Sequence, residues 1–290
     1  MSPELLALSA ITLIAAAING ALGYGFSSLT VPMALLMFSN RVLNPALVLI
    51  EVVLNAYVLL VNRRSVPAVW RRMLPIIAGL APGIALGTVF VASLNPTWMK
   101  LWTFACLIPL IFIQAAGFRR PIKGERRVGF LFGSGVGTLY AVTTISGPPL
   151  ALMLNNQGYV KQEFRAGLGL VRLAESTMTA AAYLYAGMFT TTSLALSLQI
   201  VPSLVIGVPL GAILISRVQP EVFRRVCMSF DVWIVAFGLT SVLRLLGLVD
   251  WTTAGAVFFA LASFDVWLLT RFFRQRRDGL GSVATDPVRA

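Results

Sequence analysis

The sequence predicts an all-α polytopic membrane protein. It is built as an inverted-topology repeat of two five-segment halves with broken or hairpin helices, plus one C-terminal helix. Three observations carry this prediction. First, of 290 residues 58% are hydrophobic and 12% charged, with mean hydropathy +0.84, a composition suited to lipid rather than water. Second, apolar runs long enough to cross a bilayer recur along the whole chain. Third, the landmarks of the first half return 124 residues later without a gap.

The apolar runs, in order, are Leu5–Leu22, a short run Leu29–Phe38, Pro45–Val61, Met73–Ala92 and Thr97–Ala116. A basic stretch follows. Then come Val128–Val142, a short run Leu150–Asn155, Ala166–Ala186, Ser193–Ser216, Val226–Leu246 and a last run Trp251–Thr270. The expected organisation is a first repeat at residues 1–118, a cytoplasmic linker at 119–127 and a second, inverted repeat at 128–248. An additional helix at 249–272 and a disordered tail at 273–290 complete it. The start, Met1-Ser2-Pro3-Glu4, lacks the basic region of a signal peptide, so the first run is read as mature structure.

The repeat rests on paired landmarks at one offset (147 − 23 = 124). Gly23 falls on Gly147, Arg41 on Arg165, Glu51 on Glu175 and Gly83 on Gly207; Gly87 falls on Gly211, Pro96 on Pro220 and Lys100 on Arg224. Its inversion follows from loop charge, because short cytoplasmic loops collect Lys and Arg. Arg63, Arg64, Arg71 and Arg72 lie between the third and fourth runs, while the matching loop 187–192 is uncharged. Ser93–Pro96 is bare, while its counterpart carries Arg217, Arg224 and Arg225. Matching loops therefore face opposite sides. The N-terminus is expected outside, in the periplasm of a bacterial inner membrane, and the C-terminus in the cytoplasm. Inverted repeats with broken helices point to a secondary transporter with its site near the midplane.

Two interrupted stretches occupy matched positions. Thr143-Thr144-Ile145-Ser146-Gly147-Pro148-Pro149 separates two apolar runs, and Asn19–Ser28 holds Gly20, Gly23 and Gly25 followed by Ser27 and Ser28. The second stretch is proline-rich and the first glycine-rich; prolines remove backbone donors and glycines loosen the chain, so neither is expected to continue a regular helix, and broken backbone in a bilayer must be buried in protein or line a cavity. Helix starts with free N–H groups, beside serine and threonine hydroxyls, suit a small oxyanion. The expected substrate-binding residues are Asn19, Gly23, Gly25, Ser27, Ser28, Thr143, Thr144, Ser146, Gly147 and Arg172. The competing reading is that the glycines only let helices pack closely.

Glu51 and Glu175 are matched intramembrane carboxylates. Arg172 stands three residues before Glu175 on one helix face, so those two are expected to pair, and Glu51 has no basic neighbour in sequence. Two readings stay open: a buried brace of Glu175 with Arg172, or proton coupling through Glu51 and Glu175 with Arg172 meeting the anion. Lacking an obvious partner, Glu51 is the better proton carrier of the two. Gly83-x-x-x-Gly87 and Gly207-x-x-x-Gly211 read as close helix crossings. Asp231 and Asp265 read as structural, with Asp231 near enough to pair with Arg224 or Arg225. Trp98, Trp102, Trp233, Trp251 and Trp267 read as interfacial anchors.

Several function classes are excluded or demoted. The chain has no histidine, and Cys106 and Cys227 sit in apolar runs without metal-ligand spacing, so they read as small core residues. No metal or cofactor is expected, and an intramembrane enzyme finds no Ser–Lys pair near Ser146. The net charge of +12 lies in short loops between apolar runs, which argues for orientation in lipid and against nucleic acid. No Walker motif appears, so the chain itself does not hydrolyse ATP.

The stretch Gly23-Tyr24-Gly25-Phe26-Ser27-Ser28-Leu29-Thr30-Val31-Pro32 and the stretch Ser146-Gly147-Pro148-Pro149-Leu150 are similar to the two broken-helix motifs of the sulfite exporter TauE/SafE family. The second has serine where the family has its first glycine. Pro82-Gly83-x-x-x-Gly87 also fits, and the resemblance spans roughly residues 5 to 247. It implies export of a small sulfur-containing anion, sulfite or an organosulfonate, across a bacterial inner membrane. The expected partners are that anion, protons and membrane lipids, with a homo-oligomer left open. A passive anion channel on the same scaffold is the alternative.

Overall fold

A computed structural model describes residues 3–22, 25–116, 125–155, 159–214 and 220–277. Among these residues the chain is all-helical. In the first half, α1 is Pro3–Leu22, α2 Phe26–Ala34, α3 Asn40–Val61, α4 Val66–Ser93 and α5 Pro96–Ala115, with a 3-10 turn at Arg63–Ser65. In the second, α6 is Glu125–Thr143, α7 Gly147–Asn155, α8 Lys161–Tyr185, α9 Thr191–Leu214 and α10 Pro220–Leu245. The last helix, α11, is Trp251–Arg277. The long-short-long-long-long order of α1–α5 thus returns in α6–α10.

Seven of the described helices are long and apolar enough to cross a membrane. The short ones are not: α2 and α7 have nine residues each, about 14 Å at 1.5 Å per residue, against about 30 Å of hydrocarbon. Each begins inside the bundle, where Phe26 and Ser146 are fully buried. α8 has length to spare at 25 residues, but it carries Arg172 and Glu175 and is enclosed by α3, α4 and α7. α11 continues to Arg277, past the end of its apolar run, because Arg274, Arg276 and Arg277 suit the negative end of a helix dipole. Residues 273–277 of the expected tail are therefore helical, while residues 278–290 lie outside the described residues.

The halves exchange packing partners. α4 lies along α6, and its counterpart α9 lies along α1. Both contacts are backbone on backbone. A Cβ on Gly83 would stand 2.0 Å from the Ser134 carbonyl oxygen, and one on Gly133 would stand 2.1 Å from that of Ile76. Across the molecule, a Cβ on Gly20 would stand 2.0 Å from the Val208 oxygen, and one on Gly211 would stand 1.7 Å from that of Ala17. Gly87 meets Ala141 as Gly211 meets Ala17, and both members shift by the same 124 residues. Without side chains at these points the helices reach van der Waals contact along their backbones.

Two large buried apolar clusters result, with a smaller third of Val48, Val91, Met99, Tyr140, Tyr183 and Met188. Leu8, Phe26, Leu47, Phe104, Ile200 and Val232 anchor one of the large clusters, drawn from α1, α2, α3, α5, α9 and α10. Met73, Leu80, Val136, Leu150, Leu154 and Val171 anchor the other, drawn from α4, α6, α7 and α8. The third and eighth helices meet between these two. α11 stands outside, packed on α10, where the buried Asp265 accepts from Arg225 at 3.0 Å and from Ser229 at 3.2 Å. This corrects the sequence expectation: Arg225 pairs with Asp265 across two helices, and the buried Asp231 keeps an oxygen without a hydrogen-bond partner. Cys106 is also exposed rather than in the core. All five anchor tryptophans are exposed, with Arg244 stacked over Trp251.

The glycine contacts make a sharp prediction. Gly83→Ala forces α4 off α6 and should destabilise the detergent-purified protein by at least about 3 kcal/mol, the top of the usual overpacking range. Gly135→Ala, where a Cβ meets nothing within 4 Å, should be neutral or stabilising by up to about 1 kcal/mol through helix propensity. Thermal unfolding of the two variants checks the contrast.

Candidate functional site

The two breaks are built differently. In the first, Gly25 sits at φ 108° ahead of α2, a conformation glycine adopts freely. Gly23 lies outside the described residues. In the second, Thr144 holds φ 55°, a left-handed backbone that a β-branched residue adopts only when its surroundings impose it. They do so here by hydrogen bonds. Thr144 N–H donates to Tyr140 at 2.6 Å, Ile145 N–H to Thr143 Oγ1 at 3.0 Å, and Thr143 Oγ1 to Leu139 at 2.7 Å.

Ending α6 inside the bundle strands its last carbonyls, which need donors from elsewhere. Asn44 Nδ2 donates to the Val142 oxygen at 2.7 Å, Asn40 Nδ2 to the same oxygen at 3.4 Å, and the Tyr183 hydroxyl to the Ala141 oxygen. Asn40, Asn44 and Tyr183 are fully buried. Sequence reasoning did not single them out, although Asn40 and Asn44 stand one helical turn apart at the start of α3.

Beyond the break, Ser146 precedes α7, and Leu150 N–H returns to its carbonyl at 3.1 Å. Pro148 and Pro149 carry no N–H, so within Gly147–Leu150 only Gly147 has a backbone donor to offer an anion. The start of α7 is therefore a poorer anion cradle than a free helix N-terminus suggests. The donors at this junction are mainly side chains.

Those side chains converge on the two glutamates. Ser27, one residue into α2, donates to Glu51 Oε1, and Ser146 donates to Glu175 Oε2. Each break thus lends one hydroxyl to one of the matched carboxylates. Arg172 Nη2 donates to Glu51 Oε1 at 2.8 Å, and the Tyr140 hydroxyl donates to Glu51 Oε2 at 2.8 Å. Asn55 Nδ2 reaches the Arg172 carbonyl at 3.3 Å and fastens α3 to α8. The cluster is closed off: Glu51, Glu175 and Ser146 are 0% exposed, Ser27 2% and Arg172 3%.

The pairing differs from the sequence expectation. Arg172 bonds Glu51 across the α3–α8 interface rather than Glu175 on its own helix, because Glu51 lies directly in front of it while Glu175 turns toward Ser146. The carboxylate expected to be solitary has three donors. Glu175 has one, and its Oε1 is buried without a partner, as is Arg172 Nε. Tyr140, in the last turn of α6, is a cluster member that sequence reasoning missed. Its signal was a hydroxyl-bearing aromatic one turn ahead of a break.

The remaining candidates divide. Thr143 and Thr144 are buried and spend their hydroxyls on backbone carbonyls. Asn19 is buried with an unpartnered Oδ1, Ser28 is half-buried, and Gly25 and Gly147 supply backbone at the two breaks. An apolar groove of about 870 Å³ runs between α5 and α6, past Trp102, Leu110, Phe132 and Val136 to Thr143 and Pro149. None of its lining side chains is charged. Among the described residues no group of histidine, cysteine and carboxylate side chains could hold a metal ion.

A helical bundle with its polar side chains gathered where two helices break is a multi-pass membrane protein of the transporter class. A family model described as sulfite exporter TauE/SafE matches residues 8–239, and the chain belongs to that family, whose members are membrane transporters of sulfur-containing anions. No curated protein and no solved structure matches it.

The buried pair makes its own prediction. Arg172→Gln strands the Glu51 carboxylate and should cost about 3–5 kcal/mol of stability. Adding Glu51→Gln to that variant should recover most of the loss, because no charge is then left unpaired. A double-mutant cycle by thermal unfolding reads the coupling, and additive losses would refute direct interaction.

Proposed function

We propose that the protein exports a small sulfur-containing anion, sulfite or an organosulfonate, across the bacterial inner membrane by alternating access coupled to protons. One observation carries this reading above the others. Ser27 and Ser146, one from each break, meet the matched Glu51 and Glu175 beside Arg172 in a buried cluster between α3 and α8. A guanidinium with hydroxyls around it suits the oxygens of a sulfite or sulfonate. The two carboxylates are the groups available to carry protons.

The exchanged partners, α4 with α6 and α9 with α1, support two inverted halves that rock against each other around this cluster. Burial of the cluster supports an occluded conformation in a cycle and counts against a continuously open anion channel. The exposed Arg271, Arg274, Arg276 and Arg277 at the end of α11 support a cytoplasmic C-terminus, and with it a periplasmic N-terminus.

Ligand-dependent thermal stabilisation of the detergent-purified protein tests the reading. The panel is sulfite, sulfate, thiosulfate, taurine, isethionate, sulfoacetate and short carboxylates. A ligand at a hundredfold excess over its Kd should stabilise by about 2.7 kcal/mol through mass action. One sulfur oxyanion should shift the melting temperature selectively, and Arg172→Gln should lose that shift. A panel without any shift, or an Arg172→Gln variant that folds and keeps its affinity, overturns the assignment.

A further inference from the structure

The donors that an arriving anion needs are already taken. Glu51 receives the Ser27 hydroxyl from α2 and the Arg172 guanidinium from α8 on one oxygen, and the Tyr140 hydroxyl from α6 on the other. Three donors from three helices thus converge on one carboxylate. That is the arrangement a sulfite or sulfonate would require, with the Glu51 carboxylate in the substrate's place. Every side chain in it is at most 3% exposed, so water does not share these donors.

We propose that Glu51 is the resident ligand of the anion site: its carboxylate holds the Ser27–Tyr140–Arg172 donor set shut, and an anion enters only when Glu51 takes up a proton and gives those donors over. The inference rests on the reading above that the anion binds at this junction. It adds Tyr140 to the substrate contacts and assigns the coupling: one proton binds and travels with each anion, so export runs down the anion's own gradient and not on an inward proton gradient.

Charge counting supports it. The cluster holds one cation, Arg172, and two carboxylates, Glu51 and Glu175. It is neutral with Glu51 ionised against Arg172 and Glu175 protonated. Adding a single negative charge to that state leaves a net charge of −1 in the bundle interior, and an unpaired buried charge costs several kcal/mol. Adding a proton to Glu51 together with the anion restores neutrality: the anion then faces Arg172, and both carboxyls are neutral. One proton thus accompanies each monoanion. The proton goes to a carboxylate oxygen of Glu51 that Arg172 or Tyr140 releases, and the new O–H is itself a donor.

Among the described side chains, the elements packed on α3 offer nothing else to do this work. α8 presents Arg172 and Glu175, α6 presents Tyr140, and α2 and α9 contain no charged residue. On α5, Lys100 donates to the Leu35 carbonyl; on α3 itself, Arg41 is spent on the carbonyls of Val91, Ala92 and Leu94. Arg71 and Arg72 of α4 are exposed, away from the cluster. If Glu51 were only a brace holding α3 to α8, anion binding would leave its protonation unchanged.

The test is isothermal titration of the full-length protein in detergent with isethionate and methanesulfonate, which stay monoanionic throughout the working pH range. Titrations at one pH in two buffers of different ionisation enthalpy count the protons taken up. Wild type should take up about one proton per anion, with affinity rising about tenfold per unit fall in pH while Glu51 is ionised in the free protein. Glu51→Gln, whose amide mimics the protonated carboxyl, should bind without that uptake, and its affinity should not follow pH. Wild-type binding with no proton uptake and pH-independent affinity overturns the inference and leaves the anion site standing. Absence of binding in both proteins removes the anion site and the inference with it. The proton count on wild type decides the matter even where the variant fails to fold.

Discussion

A charge inside a membrane protein must find a partner, and this fold is arranged so that Arg172 finds Glu51. The two residues sit on α8 and α3, the helices that meet between the two apolar clusters. Their union draws in Ser27 from the first break, Tyr140 from the helix before the second break, and Asn55 as a fastening between the helices. With Ser146 on Glu175, both broken segments end on the same polar core. The two short helices, α2 and α7, both start at this core. Burial makes each bond matter, since no water replaces a lost donor.

Around that core the glycine contacts supply stiffness. α4 against α6 and α1 against α9 approach backbone to backbone at their glycines, where no side chain stands between them. α4 and α9 each also contain two internal prolines, Pro75 and Pro82 in one, Pro202 and Pro209 in the other. Proline interrupts the helix hydrogen-bond ladder while the glycine face stays locked to its neighbour. α11 contributes little to either cluster; a buried ion pair and the edge contact of Phe112 with Phe264 hold it to the bundle.

Most of the helical architecture was legible from local chemistry. Apolar length marked the spanning helices, and Gly25 and Pro148-Pro149 marked the breaks. The shared offset of Glu51 and Glu175 marked the helices that carry the polar core. Helix ends were less legible where charge extends a helix beyond its apolar run, as Arg274, Arg276 and Arg277 do for α11. At the start of α7, glycine and proline both signal a break, but only glycine keeps an N–H.

The sequence by itself determined that polar residues would meet in lipid and on which helices they ride, because hydrophobic length, helix breakers and repeat spacing are properties of short stretches of chain. Only the tertiary structure decided who pairs with whom. Three residues of spacing put Arg172 and Glu175 on one face, yet the rotation of α8 against α3 turned Arg172 to Glu51 and left Glu175 to Ser146. The same packing made Tyr140 a donor to Glu51 and set Arg225 on Asp265. Partner choice across helices depends on the relative rotation and register of packed cylinders, and no local pattern in a single chain encodes either quantity.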